Sequence, residues 1–545
     1  MFIDLSFRRR PLAPLALSVG ILGAAAALRA YWVLHREPLL MGVGYIRIAE
    51  NLLNKGSYVG LFEGPELTFP PFFPIVLAVG ALVTGSVEAA ARLIPFLAGV
   101  ILVPIGFVLG RLMYGPRVAL GIAALIGLHP AFIDLSATTE SETVYLPLML
   151  WGLYWGLRAV RSNSLRHTVC CGTMFGLAYL TRPEALLFPL VILAAILVAC
   201  LTNPAFGRRV ALHSLCLVAP ILVLAAPYAM YLSLHIGALR FDGKGVMNYT
   251  IGERRNSGMS HAQASLGIGP NLSEDGPQLS PNHFVATVQQ FPSLRELATY
   301  WVKSARRNEP ALFDQLSSPV FGSVVGISLI ALGLFGRPWD KRRAMCEAIL
   351  LGISLAHVLL LLGLHTMLFR YVLPVMTISL LWVSKGIDEL ARWAATTTRR
   401  TLPRWRPAPR WVDAGIRNVL IVMLLAMAAW GMRWGSPLQD QGPAIGSLKE
   451  VGTWLAHYRP GPNRVMTMHP QIPYYSRGTL LLMPYAESSL ALQYIYLKQP
   501  DFIVLLDEDR AIAPYLKEWL DKGIPDPSAT LIFETRGVVV YEWHG

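Results

Sequence analysis

The sequence predicts an α-helical polytopic membrane protein with about eleven transmembrane helices, interfacial helices and a small C-terminal α/β domain. Of its 545 residues, 54% are hydrophobic and only 15% are charged, whereas a soluble protein carries about a quarter charged residues. Apolar runs of ~18–22 residues recur along the chain, each long enough to cross about 30 Å of hydrocarbon. The net charge of +13 does not indicate nucleic-acid binding, because most Lys and Arg residues lie in short loops between these runs.

The distribution of Lys and Arg predicts the orientation of the chain. The predicted spans cover residues 14–34, 90–109, 118–133, 144–157, 168–180, 186–201, 210–232, 320–335, 344–364, 368–383 and 419–434. A doubtful run at 72–83 is short and contains Pro74. If that run does not cross, the basic loops all share the side of Arg8, including the longest, at 385–417. We therefore expect residues 72–83 to be interfacial or re-entrant.

This topology predicts a plasma (inner) membrane protein with a cytoplasmic N-terminus. Residues 1–434 are expected to form the transmembrane domain, with outer loops at 35–89 and 235–319. Residues 435–545 are expected to form an extracytoplasmic domain, because helix-like and strand-like patterns alternate there. The strand-like segments are 464–468, 479–483, 502–506 and 538–542, and the helix-like segments are 448–458, 490–498 and 515–521.

The first outer loop, residues 38–74, is too polar to cross a bilayer. It contains an amphipathic helical pattern at 45–53, a turn at Gly56, and the sequence Phe-Pro-Pro-Phe-Phe-Pro at 69–74. A large loop so early in a membrane protein suggests a site at the water interface, with the remaining helices beneath it.

Two acids precede a predicted membrane helix on the outer side. Glu140 and Glu142 lie in the turn at 136–145. They are candidates for chemistry because ionisable residues at membrane helix ends are often functional. The alternative is structural: acids at a helix start are stabilised by the helix dipole and by capping.

Two arginines occupy similar positions at other outer helix ends. Arg182 lies in Thr-Arg-Pro-Glu at 181–184, where Pro183 breaks the helix, and Arg370 precedes Tyr371 at the start of another helix. Each could bind a phosphate. Each could equally cap carbonyl groups or extend its head group to the interface.

These motifs, taken in order, resemble those of the GT-C glycosyltransferases related to protein O-mannosyltransferases and to the lipid A aminoarabinose transferase (families 39 and 83). The resemblance spans residues 10–390 and rests on an ordered series of short motifs. They are Tyr45-x-x-Ile-Ala-Glu-Asn-Leu-Leu, Phe-Pro-Pro-Phe-Phe-Pro at 69–74, Ala-Arg-Leu-Ile-Pro at 91–95, Gly-Arg-Leu-Met-Tyr-Gly at 110–115, His129-Pro130, Ser-Glu-Thr-Val-Tyr at 141–145, Leu-Thr-Arg-Pro-Glu at 180–184 and Arg370-Tyr371-x-x-Pro374.

The resemblance implies transfer of a sugar from a polyprenyl-phosphate donor to a lipid, glycan or protein acceptor at the outer face. It demands no metal, and no cofactor is expected. The family usually has an acid shortly before the residue matching Tyr45, but this chain has Met41, Gly42, Val43 and Gly44 there. The predicted roles fall to other residues. The catalytic acids are Glu142 first and Glu50 second, the phosphate ligands are Arg182 and Arg370, and the further substrate contacts are Tyr45, Tyr371 and Glu140.

Two other functions remain open at this point. A transporter or flippase of lipid-linked sugars would be expected to show two related halves, and the sequence shows no such repeat. The missing acid before Tyr45 also allows a non-catalytic protein that binds lipid-linked sugars.

Overall fold

The computed structural model describes residues 12–35, 42–202, 209–288, 292–318, 323–401, 409–433, 445–535 and 537–545. The first half contains α1 (Leu12–His35), α2 (Val43–Lys55), α3 (Phe72–Thr84), α4 (Val87–Tyr114), α5 (Pro116–Leu128), α6 (Pro130–Leu135), α7 (Glu142–Ser162), α8 (Leu165–Tyr179), a 3-10 turn (Pro183–Leu186) and α9 (Leu187–Thr202). Then follow α10 (Val210–Ile236), α11 (Lys244–Asn256), α12 (His261–Leu266), α13 (Pro281–Thr287), α14 (Leu294–Ser317), α15 (Ser323–Phe335), α16 (Lys341–Leu362), α17 (Phe369–Thr401) and α18 (Pro409–Arg433).

Five helices in the described ranges are long and apolar enough to cross a membrane: α1, α4, α10, α16 and α18. Shorter apolar helices accompany them, and the predicted number of about eleven spans is not confirmed. One predicted span, 118–133, is divided into α5 and α6 at His129 and Pro130. Proline causes this break because it has no N–H and its ring clashes with the preceding turn.

Helix α3 contains the doubtful run of the sequence. Its 13 residues rise about 20 Å, less than the roughly 30 Å of a hydrocarbon core. Leu82 and Val83 at its C-terminal end are 74% and 86% exposed. An interfacial position fits this length and remains a prediction.

A fully buried arginine fixes the turn that carries the two acids. Arg29 of α1 donates to the carbonyls of Ile126 (3.1 Å) and Gly127, where α5 ends, and to the hydroxyl of Ser136 (3.1 Å). These bonds occupy the guanidinium and also satisfy carbonyls at the helix end that have no partner within the helix. The start of the acidic turn is thereby tied to α1 and α5.

The tail forms the small sheet that the sequence predicts. Its elements are α19 (Ile445–Tyr458), β1 (Arg464–Met466), α20 (Gln471–Tyr475), β2 (Thr479–Leu481), α21 (Ser488–Lys498), β3 (Phe502–Leu506), a 3-10 turn (Asp507–Ala511), α22 (Pro514–Lys522), β4 (Ala529–Thr535) and β5 (Val538–Trp543). The strand order is β2-β1-β3-β5-β4, with β1 parallel to β2 and β3, and β5 antiparallel to β3 and β4. Sequence reasoning missed β4, an edge strand whose residues are all at least partly exposed.

The tail domain packs on both outer loops. The Leu480 N–H of β2 donates to the Leu61 carbonyl (2.9 Å), and the Tyr485 N–H donates to the Leu266 carbonyl (2.7 Å). Tyr45 of α2 and Tyr474 of α20 belong to one apolar cluster. The loops are therefore held between the membrane helices and the tail.

The two outer loops also contact each other at a glycine. A Cβ atom on Gly243 would lie 1.7 Å from the carbonyl oxygen of Leu67, so only glycine fits this contact. The side chain of Asn282 secures the same segment by accepting from the Leu67 N–H (3.0 Å). Because Gly243 immediately precedes α11, this contact sets where α11 begins.

We expect Gly243→Ala to lower stability by about 1–3 kcal/mol, the usual cost of overpacking. Thermal unfolding of the purified protein in detergent would measure the loss. Gly415→Ala on α18 is the matched control, because a Cβ there meets no atom within 4 Å. Equal losses in the two variants would show that the contact between the loops does not matter.

Candidate active site

Three helix ends bring charged side chains together beneath the outer loops. Glu140 and Glu142 lie at the start of α7, Arg182 lies in the turn between α8 and α9, and Arg370 lies in the first turn of α17. The Phe72 N–H donates to the Leu180 carbonyl (2.9 Å), which joins the end of the first outer loop to the same turn.

Glu142 is the most deeply buried carboxylate of this cluster. Its side chain is 2% exposed, and its Oε1 atom pairs with the guanidinium groups of Arg182 and, at 3.6 Å, Arg370. Arg182 also pairs with Glu184. Removal of one partner would leave a buried charge uncompensated, a change that costs about 3–5 kcal/mol in known cases. These ion pairs are therefore important for folding as well as for any chemistry.

Glu140 is more accessible than Glu142. Its side chain is 12% exposed, and its Oε1 atom accepts from Arg370 at 2.5 Å. Burial raises the pKa of Glu140, Arg370 opposes this shift, and Glu142 adds to it. Burial also favours a higher pKa for Glu142, but Arg182 and Arg370 outweigh it and lower that pKa. The two neighbouring carboxylates thus differ in their readiness to take a proton.

Aromatic rings surround the two arginines. The Tyr371 ring lies 5.4 Å from the Arg182 guanidinium carbon and 5.5 Å from that of Arg370. The Tyr145 ring lies 5.9 Å from Arg182. Such contacts orient a guanidinium group without neutralising it.

Tyr45 faces the acids from the first outer loop. Its ring packs against Phe69 (4.6 Å) and Phe73 (5.0 Å). Burial raises the pKa of Tyr45, and Glu140 and Glu142 raise it further. The hydroxyl therefore stays protonated and can donate a hydrogen bond.

Sequence reasoning missed one cation of this site. Lys244, at the start of α11, places its Nζ atom 4.1 Å from the centre of the Phe69 ring. Burial lowers the pKa of Lys244, as do Arg182 and Arg370, whereas Glu66 and Asp242 raise it. Among the described residues, Lys244 has no hydrogen-bond acceptor and no carboxylate within ion-pair distance. It is therefore the cation of this site that is available to an incoming anion.

Glu50 lies outside the cluster, contrary to the expectation that it shares a cavity with Tyr45. Its carboxylate accepts from the Tyr474 hydroxyl of the tail (2.8 Å) and lies 3.9 Å from Arg47. Glu50 is five positions after Tyr45 in the helix, which turns the two side chains about 140° apart. Glu50 helps to hold the tail domain on α2.

We expect Glu50→Gln to destabilise the protein by less than about 1 kcal/mol, because glutamine can still accept a hydrogen bond from the Tyr474 hydroxyl, and to leave the chemistry of the site unchanged. Thermal unfolding and a transfer assay would test the two parts. Tyr474→Phe removes the donor of this bond, so it should cost about 1 kcal/mol and likewise leave turnover unchanged. A large loss of turnover in Glu50→Gln alone would return Glu50 to the catalytic residues.

An apolar groove begins beside the charged cluster. It has a volume of about 570 Å³ and runs between α3, α4, α7 and α8. Its lining is entirely apolar: Phe72, Val76, Ile94, Leu97, Ala98, Ile101, Pro104, Ile105, Val108, Val144, Pro147, Leu148, Trp151 and Met174. Val144 is two residues from Glu142, and the lining of α4 extends for about 21 Å along that helix.

Within the described ranges, no three His, Cys, Asp or Glu side chains are grouped as metal ligands.

Solved structures share this architecture. The apo oligosaccharyltransferase of Archaeoglobus fulgidus superposes with a TM-score of 0.62 at 14% identity, covering 92% of this chain and 70% of that one. ArnT from Cupriavidus metallidurans bound to undecaprenyl phosphate gives a TM-score of 0.52 at 15% identity, covering 97% of both chains. The chain has the GT-C fold. The arabinofuranosyltransferase AftD from Mycobacteria gives 0.52 at 14% identity, covering 97% of this chain and 41% of that one.

A family model places part of the sequence in the same group. The model described as dolichyl-phosphate-mannose-protein mannosyltransferase matches residues 68–231, which include Glu140, Glu142 and Arg182. No curated protein sequence gives a match. The resemblance predicted from the motifs is confirmed. Because the identities to the solved structures are low, those similarities show the fold of this GT-C protein and not its activity.

Proposed function

We propose that this GT-C protein is a glycosyltransferase that moves a sugar from a polyprenyl-phosphate donor to an acceptor at the outer face of the plasma membrane. The observation that carries the proposal is Lys244, a partly buried ammonium group that forms no ion pair with any described residue and lies near two arginines beside an apolar groove. A lipid phosphate has one anionic group and one long apolar chain, and the site and the groove match these two parts.

The groove would hold the polyprenyl chain. Its lining contains no polar side chain, so an isoprenoid can be buried there without leaving a polar group unsatisfied. ArnT, which shares the fold, has been solved with undecaprenyl phosphate. A similar lipid is therefore a reasonable ligand for this chain.

The phosphate would lie between Lys244 and Arg370. Arg182 pairs with Glu142 and Glu184, and Arg370 pairs with Glu140. The arginines are positioned by these acids, whereas Lys244 has Glu66 and Asp242 nearby but forms no ion pair with a described residue. Charge-assisted hydrogen bonds of this kind would stabilise a phosphate as it leaves.

Glu140 is the residue best suited to accept the proton. Two carboxylates whose environments move their pKa values apart commonly divide the roles of base and charge stabiliser. Glu140 has the raised pKa and the larger exposure, whereas Glu142 is fixed behind the arginines. Glu142, predicted from the sequence as the first catalytic acid, is then an orienting residue.

The reaction follows from these positions. The acceptor hydroxyl oxygen forms a bond to the anomeric carbon of the sugar, and its proton passes to Glu140. The bond between that carbon and the phosphate oxygen breaks, and the polyprenyl phosphate leaves with the electron pair. Lys244 and Arg370 stabilise the negative charge that develops on this oxygen.

Purified protein in lipid nanodiscs, incubated with a panel of polyprenyl-phosphate sugars and membrane extract, should transfer one sugar to a product detectable by mass spectrometry. A strain lacking the gene should lack the same product among its lipids and glycans. Tight binding of donors without transfer would instead identify a binder of lipid-linked sugars. Failure to bind any polyprenyl phosphate would refute the proposal.

A further inference from the structure

Helix α11 carries a second cation at its opposite end. Arg255, in the last turn, donates from its guanidinium to the backbone carbonyl of His365, in the loop between α16 and α17. Within the described ranges it pairs with no carboxylate. The nearest acid in the chain, Glu253, is two residues away and projects about 160° from Arg255 around the helix. Most of the Arg255 N–H groups are therefore available.

Two histidines, His261 and His365, lie near Arg255. The rings of His261 and His365 are stacked, with centroids 5.5 Å apart and planes 16° from parallel. The Nδ1 atom of His365 is buried and has no hydrogen-bond partner among the described residues. Burial lowers the pKa of His365 to about 3, and the neighbouring residues His261, Arg255, Arg307 and Lys244 contribute to this shift. His365 is therefore neutral and can donate one N–H to an anion.

Arg307 of α14 stabilises the arrangement of Arg255, His261 and His365. It donates to the carbonyls of Leu364 (2.9 Å) and Gly252 (3.2 Å). These bonds fix the loop that carries His365 against α11. Arg307 also adds positive charge, and in the described part of the chain it has no carboxylate partner. A partly buried group of cations without counter-ions is costly unless an anion binds there.

We infer that Arg255, His261 and His365 form a second oxyanion site, which binds a phosphate or carboxylate group on the acceptor. This inference rests on the proposed function, in which Lys244 holds the donor phosphate. Lys244 and Arg255 are eleven positions apart, a rise of about 16 Å along the helix axis. That separation favours anionic groups on two different substrates over the adjacent phosphates of one diphosphate. The acceptor is then an anionic glycan or lipid, and its charge places its hydroxyl near Glu140.

Titration of inorganic phosphate into the full chain, already saturated with polyprenyl monophosphate, tests this site by calorimetry. Arg255→Gln should weaken phosphate binding by about tenfold or more, the effect of losing a charged hydrogen bond. Arg255→Lys should retain most of it. Arg254→Gln is the matched control, because it removes the same charge from the preceding residue, and it should change binding less than twofold.

Three results would overturn the inference. The first is that the wild type, saturated with polyprenyl monophosphate, does not bind phosphate. The second is that Arg254→Gln weakens phosphate binding as much as Arg255→Gln does. The third is that the wild type prefers polyprenyl diphosphate to monophosphate and that Arg255→Gln abolishes this preference. The last would assign the second anion to the donor. A separate titration of polyprenyl monophosphate alone reports on the proposed function, so the two failures can be told apart.

Discussion

Glu140→Gln should lower the turnover of sugar transfer by about 10²-fold or more, the usual effect of removing a positioned base. Glutamine keeps the shape of the side chain and can still accept a hydrogen bond from Arg370, so donor affinity should change little. Glu140 differs from Glu142 because the effect of burial prevails and its pKa is raised, and because 12% of its side chain stays exposed. Single-turnover rates at saturating donor would isolate this effect from binding.

Glu142→Gln is the matched comparison for Glu140→Gln. Glu142 neutralises Arg182 and Arg370 in a site where its side chain is 2% exposed. Its loss should lower both stability and turnover, since a buried guanidinium then lacks part of its counter-charge. If Glu140→Gln transfers sugar at the wild-type rate while Glu142→Gln folds normally and does not, the roles proposed for the two acids are reversed.

Most of the candidate site could be predicted because its charges lie at the ends of apolar helices. The predicted topology places such ends on one face of the membrane, and the structure brings Glu140, Glu142, Arg182 and Arg370 into one set of ion pairs. Tyr371 accompanies them for the same reason, whereas Tyr45 reaches the acids from the amphipathic helix α2. Of positions 41–44, where the family's usual acid would be sought, Met41 lies outside the described residues.

The remaining parts of the site depend on how separate loops dock, which sequence patterns do not encode. Lys244 lies in a long polar segment, where one more lysine is ordinary, and the contact of Gly243 with Leu67 helps to bring it to the acids. Glu50 follows Tyr45 by little more than one helical turn, but the angle of about 140° between the two side chains directs Glu50 away from the site. In the tail, β4 lacks the buried run that marks β3.

Lys244→Met should weaken the binding of polyprenyl phosphate by about 10- to 100-fold, because a hydrogen bond to a charged group is worth about 1.5–3 kcal/mol. Methionine preserves the apolar contact with Phe69 and removes the charge. Folding should be little affected, since no described residue forms an ion pair or hydrogen bond with the Lys244 ammonium group. Tryptophan fluorescence or calorimetry with the lipid in nanodiscs would measure the affinity.

The control is Lys303→Met, which removes the same charge from an exposed position on α14 and should leave donor affinity unchanged. Arg182→Ala and Arg370→Ala are less decisive, because each also removes the counter-ion of a buried carboxylate. Their Lys substitutions retain that charge and should bind the donor better than the Ala substitutions. If Lys244→Met binds the lipid as tightly as the wild type, the phosphate is held by the arginines alone. Glu140 and Glu142 would then have to release the two arginines when the donor enters.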